Sequence, residues 1–141
     1  MSIPLLVRFV TLRNVHPILA HISNGLTPAA FLFTLLSGLF HYPCLLVSSY
    51  YMMLLVALTT PVTMVTGLVD WKYRYDLRSI PVIKKKVISS IIGYGFVVAY
   101  VFTKSVFALA IAFLLFAITG EYGGRLVHGV TNQALIRKFK E

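Results

Sequence analysis

The sequence predicts an all-α integral membrane protein, built as an antiparallel bundle of four transmembrane helices. Of its 141 residues 58% are hydrophobic, and 4 acidic residues stand against 13 basic ones. A soluble domain of this length could not bury so much apolar surface in one core, so lipid is expected to cover most of it. Four hydrophobic runs are each long enough to cross a hydrocarbon core of about 30 Å at ~1.5 Å per residue.

The ends of the spans follow from their boundary residues. Proline suits the first turn of a helix, so Pro17 begins the first span and places His16 at its cap. Short links at His41-Tyr42-Pro43 and at Lys104 join neighbours that are expected to be antiparallel. The predicted spans cover about 17–40, 44–71, 87–103 and 105–124 of a single membrane domain (1–141), with an interfacial lead-in over 1–15 and a basic tail over 125–141.

Basic residues fall in blocks between the hydrophobic runs, which is how membrane topology is encoded. One block precedes the third span and others lie at the two termini, whereas the opposite side offers little beyond Lys104. The positive-inside rule therefore predicts both termini on the cytoplasmic side, in a bacterial inner membrane. No aromatic-basic interleaving favours nucleic acid as a partner. The blocks contain Arg8 and Arg13; Lys72, Arg74, Arg78, Lys84, Lys85 and Lys86; and Arg125, Arg137, Lys138 and Lys140.

Ionisable side chains are costly inside a bilayer, so each one found there is a candidate for function. Measured along the helices, three of them lie about 30–37 Å from the outer turns, at ~1.5 Å per residue. His41 belongs to the opposite end. The sequence therefore predicts one polar site at the basic end, drawn from His16, His21, Asp70, Glu121 and His128.

Each of these residues also has a structural interpretation. Glu121 and Arg125 have the i,i+4 spacing of an ion pair. Asp70 suits either pairing with a nearby cation or orienting an imidazole and carrying a proton. His16 points to a different face from His21, and capping the helix is an equally good role for it. The lysine triplet 84–86 is expected to anchor the topology, with phosphate, propionate or anionic lipid binding as lesser alternatives.

Small and polar residues form stripes that suit either tight helix packing or contact with a flat cofactor. The threonine hydroxyls of the second span are expected to satisfy the backbone groups that Pro61 releases. The stripes are His21, Asn24, Gly25 and Pro28 on the first span; Thr59, Thr63, Thr66 and Asp70 on the second; and Gly120, Gly124 and His128 on the fourth.

No familiar catalytic signature is present: there is no HExxH, GxSxG, Walker loop or dinucleotide-binding motif. Cys44 is the single cysteine, which excludes an internal disulfide, a thiolate-rich metal site and covalent haem attachment through CxxCH. The chemistry that these exclusions leave is a pair of imidazoles on facing helices, and such pairs commonly hold haem b in small bundles.

Three motifs resemble the landmarks of a family of four-helix bacterial membrane domains of unknown function, which occur fused to Rieske-type iron–sulfur or cytochrome c domains. The motifs are His16-Pro17-Ile18-Leu19-Ala20-His21, Thr66-Gly67-Leu68-Val69-Asp70 and Gly123-Gly124-Arg125-Leu126-Val127-His128-Gly129-Val130. The resemblance implies that His16, His21, Asp70 and His128 are the family's polar positions, and by association it implies a role in membrane electron transfer.

Two departures from that family's pattern bear on a cofactor. Ile22-Ser23 follows the second histidine, where members usually have Phe-Pro. Lysines 84–86 stand where many members have a histidine near the start of the third span. If that histidine is an axial ligand in the family, this chain holds fewer haems, or none.

The leading hypothesis is a b-type cytochrome-like membrane subunit of an oxidoreductase complex, passing electrons between a quinone pool and a redox partner. His21 and His128 are the expected haem and metal ligands, with His16 as the substitute. Asp70 would orient a ligand or handle protons, and Arg125 or the lysines would neutralise propionates.

Two other hypotheses use the same residues. One is an intramembrane enzyme with non-haem iron or zinc held by His16, His21, Asp70 and His128. The other is a cofactor-free structural subunit of a larger membrane complex, in which the histidines bond between helices. A proton or ion pathway is a weaker hypothesis, because no strong polar track reaches the far face.

Overall fold

The computed structural model describes residues 15–75 and 81–128, and the side chains of 15–72 and 81–125. Most of the predicted lead-in and basic tail lies outside these residues. The described residues form four helices: α1 (Val15–Phe40), α2 (Pro43–Tyr75), α3 (Pro81–Thr103) and α4 (Val106–His128). All four are long and apolar enough to cross a membrane, as the hydropathy pattern predicted.

At the end of the bundle that carries the lysine triplet, the helices extend beyond the predicted spans. α3 begins at Pro81 rather than at residue 87, so Lys84, Lys85 and Lys86 lie on its first turns instead of in a loop. α2 continues to Tyr75 and α4 to His128. Hydropathy marks where a segment stops being apolar, whereas the backbone continues its helical hydrogen bonding into the polar boundary region.

The two outer turns use left-handed residues. His41 has φ 58° and Lys104 has φ 54°, in the region that residues other than glycine adopt infrequently. The Lys104 amide donates to the Tyr100 carbonyl at 2.7 Å, and Ser37 Oγ donates to the Tyr42 carbonyl at 2.9 Å. A single left-handed residue after the last turn ends a helix sharply. Both connections are consequently only two residues long.

The helices pack chiefly as two pairs, α1 with α2 and α3 with α4, and contacts of α1 with α4 and of α2 with α3 join the pairs. Residues meet in opposite order along paired helices: Ser23 bonds Thr60, and Thr34, later on α1, bonds Ser49, earlier on α2. The rings of Phe31 and Phe113 stack at 5.2 Å between α1 and α4. The core is made by Ala30, Met53, Val56, Val97, Tyr100, Ala108, Leu109, Ala112 and Phe116.

Large hydrophobic side chains also cover the outside of the four helices. Leu58 is 67% exposed, Phe107 is 74% and Phe102 is 82%. A soluble protein rarely presents so much contiguous apolar surface to water. This surface is compatible with an integral membrane protein whose outer faces are in contact with lipid.

Hydroxyl groups of the interior either join two helices or bond the carbonyls of their own helix. Ser89 and Thr119 share a hydrogen bond of 2.8 Å between α3 and α4. On α2, Thr63 Oγ1 donates to the Thr59 carbonyl and Thr66 Oγ1 to the Val62 carbonyl, each at 3.0 Å. The threonines of this stripe thus bond carbonyls of their own helix. Pro61 deprives the Ala57 carbonyl of its N–H donor, and neither of these two bonds ends there, so the link to the proline stays a prediction.

Candidate functional site

His16 lies on the first turn of α1, half-buried between helices rather than at the helix cap where the sequence placed it. Its Nδ1 is 2.9 Å from the carbonyl oxygen of Thr63 on α2. A carbonyl only accepts, so Nδ1 carries the proton and donates it in this bond. The other nitrogen, Nε2, is consequently an acceptor while the ring is neutral.

Gly67 on α2 makes room for this imidazole. A methyl group at position 67 would lie 2.8 Å from Cε1 of His16 and 3.0 Å from its Nδ1. No side chain fits there without moving the ring. Gly67 and the Thr63 carbonyl therefore fix both the position and the protonated nitrogen of His16.

Lys86 supplies the partner of the other ring nitrogen. Its Nζ is 3.1 Å from Nε2 of His16, and it would lie 3.6 Å from a methyl group at Gly123 on α4. Lys86 is half-buried, whereas Lys84 and Lys85 are exposed. An ammonium group has donors and no acceptor, so Lys86 donates to His16 Nε2.

Asp70 brings a negative charge to the same end of the bundle. Its side chain is only 6% exposed, and its carboxylate interacts electrostatically with Lys86. Thr63 and Thr66 are buried with it on α2, which confirms three members of the predicted stripe, whereas Thr59 is only half-buried. The sequence offered Lys72, Arg74 or Arg125 as a cation for Asp70, and the structure adds Lys86 from a different helix. The side chain of Arg74 lies outside the described residues.

We call His16, Lys86 and Asp70 the basic-end cluster. They come from α1, α3 and α2 respectively, and Gly123 adds the backbone of α4, so all four helices meet here. With His16 neutral, the ammonium and the carboxylate balance each other. If Nε2 of His16 bound a further proton, it would become a donor facing the Lys86 ammonium, which is also a donor. Lys86 would then have to turn away or release a proton.

His21 lies outside this cluster. It is exposed, and with Ile22, Gly25, Leu26 and Leu55 it lines a shallow groove of about 440 Å³ between α1 and α2. The five residues from His16 to His21 turn the helix by about 140°, which separates the two imidazoles, as the sequence indicated. Asn24, predicted on the same stripe as His21, instead lies against Gly120 of α4.

Glu121 and Arg125 form the predicted ion pair on the outside of α4. Arg125 also lies over the ring of Tyr122, with 5.9 Å between its guanidinium carbon and the ring centroid. Both charged side chains are more than half exposed. This ion pair therefore faces away from the bundle and is separate from the basic-end cluster.

The described residues do not present the pair of facing imidazoles that haem b would need. His21 faces the outer groove, and His16 directs Nε2 toward Lys86. The side chain of His128 lies outside the described residues. Over the same described part of the chain, no group of three or more His, Cys, Asp and Glu side chains is placed to hold a metal ion. Ligation of haem, iron or zinc therefore stays a prediction.

The sequence interpretation passed over Lys86 because it stood in a run of three lysines. The signal lay in helix periodicity. Counting in steps of three and four from Lys86 reaches Ser89, Gly93 and Val97, all of them buried. The same count reaches exposed Ile91 from Lys84, and exposed Ile88 and Ile92 from Lys85. Extending the third helix back to Pro81 would have placed Lys86 on the inward face.

Fold and site together define a protein of four helices, each long and apolar enough to cross a membrane, with a His–Lys–Asp cluster between the helices at one end. The chain belongs to the same family as an uncharacterized protein of the archaeon Archaeoglobus fulgidus. The two are 53% identical over 95 residues, which cover 64% of this chain and 85% of the relative. No family model matches the chain, and no solved structure matches it.

Proposed function

We propose that this chain is an integral membrane subunit that takes up and releases a proton at its basic end, as part of a membrane electron-transfer complex. The observation that carries the proposal is the 3.1 Å contact between Lys86 Nζ and His16 Nε2. An ionisable group inside a membrane bundle is a functional candidate by default, and imidazole is the side chain that most readily changes charge near neutral pH.

Uptake of a proton at His16 is coupled to the position of Lys86. Because Nδ1 already carries a proton and donates it to the Thr63 carbonyl, a further proton can bind the ring only at Nε2. That nitrogen then no longer accepts the bond from Lys86, and the ammonium moves toward Asp70 or releases a proton of its own. The buried carboxylate compensates one positive charge, so the resting cluster holds one cation. A proton taken up at His16 adds a second positive charge, which stays in the cluster until either His16 or Lys86 releases a proton.

The proposal includes an orientation. The four helices run antiparallel, with both termini and the basic-end cluster on the cytoplasmic side of a cytoplasmic membrane. The opposite order of contacts along paired helices supports the antiparallel arrangement. The exposed lysines 84 and 85 at the start of α3, in a chain with a net charge of +9, support the cytoplasmic placement.

The test is the protonation of His16 in lipid bilayers, followed by nitrogen-15 NMR of labelled histidine as the pH is changed. The wild-type protein is expected to show a neutral form protonated on Nδ1 and a charged form, in exchange. In Lys86→Met the proton-binding constant of His16 changes by about tenfold or more, since a charge in contact has been removed. Lys85→Met, one residue away and exposed, leaves it unchanged.

Asp70→Asn provides the second arm. Removing the carboxylate shifts the same proton equilibrium, because the compensating charge is lost. A His16 signal that stays in one form at every pH contradicts the proposal. The same is true of a titration that responds equally to Lys86→Met and Lys85→Met.

A haem-bound electron carrier is the second candidate function. One geometric feature favours it: histidines that ligate metals usually donate their other ring N–H to a carbonyl or carboxylate, as His16 does to Thr63. The quinone pool, the redox partner and the other subunits belong to this proposal as well. A reduced-minus-oxidised absorption spectrum tests it in the wild-type protein, His16→Ala, His21→Ala and His128→Ala. A purified protein without a Soret band rules it out.

A further inference from the structure

An ion pair on the outside of α4 lies within the expected thickness of the membrane. Glu121 is 60% exposed and Arg125 is 59% exposed, although they are bonded to each other. At ~1.5 Å per residue, Glu121 is about 22 Å along α4 from Val106, against a hydrocarbon core of about 30 Å. A charge pair at this depth is costly where lipid covers it.

The surface around the pair is smooth and apolar. Leu114 is 58% exposed and Phe107 is 74% exposed on the same side of α4. Ala117 and Gly124 are exposed as well, and a methyl group at Gly124 would meet nothing within 4 Å. Small residues on a membrane helix let a second helix approach closely. We name this surface, formed by Phe107, Leu114, Ala117, Glu121, Gly124 and Arg125, the α4 outer face.

We propose that the α4 outer face binds the same face of a second copy of this chain. A two-fold axis along the membrane normal sets the two α4 helices side by side, with Glu121 of each copy close to Arg125 of the other. Glu121 and Arg125 lie one turn apart along α4 and about 40° apart around it, so this rotation sets Glu121 of one copy on the same flank of the seam as Arg125 of the other. Two ion pairs then form a cluster of four charges that protein, rather than lipid, surrounds.

The interface leaves the basic-end cluster where it is. Lys86 and Asp70 are held inside the bundle, whereas Glu121 and Arg125 face outward. The inference therefore goes beyond the proton-exchange proposal and does not depend on it.

Disulfide cross-linking in native membranes tests the interface, with Cys44 first replaced by serine so that no native thiol reacts. Leu114→Cys is expected to give a cross-linked dimer on mild oxidation. Leu58→Cys is the matched control, because Leu58 is 67% exposed on the outer side of α2. It is expected to stay monomeric.

Charge exchange then tests the ion pairs in the Leu114→Cys background. Arg125→Glu makes both charges of the face negative, and Glu121→Arg makes both positive. Each variant alone is expected to lose the cross-linked dimer, whereas co-expression of the two restores it as a mixed dimer.

Several results would overturn the inference. One is an absence of dimer for Leu114→Cys, which means that lipid covers the face. Another is a dimer equally abundant for Leu58→Cys. A cross-linked product with a mass other than twice that of the chain would mean that a different protein binds this face. A dimer that forms equally well in the charge variants would mean that the ion pairs are not part of the interface.

Discussion

At the scale of single residues, His16 and His21 have different environments although they lie in one short sequence motif. His16 is held on three sides, by the Thr63 carbonyl, by Gly67 and by Lys86. His21 lies on the surface of the same helix and lines an apolar groove. A helix turns about 100° per residue, so two histidines within one short motif face different surroundings.

The glycine beside His16 gives a direct test of this environment. Gly67→Ala is expected to lower the stability of the protein by about 1–3 kcal/mol, because the new methyl group forces the imidazole away from the Thr63 carbonyl. Thermal unfolding in detergent measures the change, and nitrogen-15 NMR reports whether Nδ1 of His16 keeps its bonded proton.

Gly25→Ala is the control for that substitution. A methyl group at position 25 would meet nothing within 4 Å. Alanine favours a helix over glycine by up to about 1 kcal/mol, so this variant is expected to be as stable as the wild type or slightly more stable. If both variants unfold at the same temperature, the contact between Gly67 and His16 does not constrain the ring.

At the scale of helices, hydroxyl pairs join the elements. Ser23 bonds Thr60 across α1 and α2, Ser89 bonds Thr119 across α3 and α4, and Ser49 reaches Tyr100 across α2 and α3. Between membrane helices the hydrophobic effect gives little attraction, so packing and such bonds hold the bundle together. The apolar pattern of the sequence identified the helices but not these pairings.

The bond between Ser89 and Thr119 can be measured by a double-mutant cycle. Ser89→Ala and Thr119→Val are each expected to destabilise the bundle, and the coupling energy between them is expected to be about 0.6 kcal/mol, the average for such membrane pairs. Unfolding in mixed detergent gives the four free energies. Ser48→Ala serves as the control, because Ser48 bonds only the Cys44 carbonyl of its own helix among the described contacts.

Strict additivity of the two substitutions would contradict an interhelical bond. Thr119 Oγ1 also donates to the Leu115 carbonyl of its own helix, at 2.8 Å. A purely local role would make the loss at Thr119 independent of whether position 89 carries a hydroxyl.

At the scale of the whole molecule, the arrangement of charge predicts which end faces which compartment. Lys85 is exposed at the end of the bundle where the basic-end cluster lies. The free Cys44 is exposed at the start of α2, at the other end of the bundle. With the cytoplasm at the basic end, Cys44 faces outward from the cell. The native cysteine is therefore a built-in reporter of orientation.

A membrane-impermeant maleimide applied to intact cells is expected to label Cys44 in the wild-type protein. In a Cys44→Ser background, Lys85→Cys is expected to react only after the membrane is permeabilised, because it faces the cytoplasm. The reverse pattern would mean that the basic end faces outward. Labelling of both sites in intact cells would mean that the helices do not separate two compartments.

The four helices of the described residues could be predicted from the sequence because apolar runs of this length can satisfy their backbone hydrogen bonds in lipid only as helices. The helix boundaries near the basic-end cluster could not be predicted, since the start of α3 at Pro81 lies in a polar segment that hydropathy assigns to a loop. The ion pair of Glu121 and Arg125 was predictable because i,i+4 spacing fixes it within one helix.

The sequence by itself determined that four segments form helices apolar enough to cross a membrane, where the basic blocks lie along the chain, and that Thr63, Thr66 and Asp70 share a face of α2. These properties depend on composition and on the helical repeat alone. Only the tertiary structure decided that Lys86 is the partner of His16 and that His21 faces outward. The physical reason is that such a contact depends on the rotation of each helix about its own axis. The packing of all four helices sets that rotation, and no single segment encodes it.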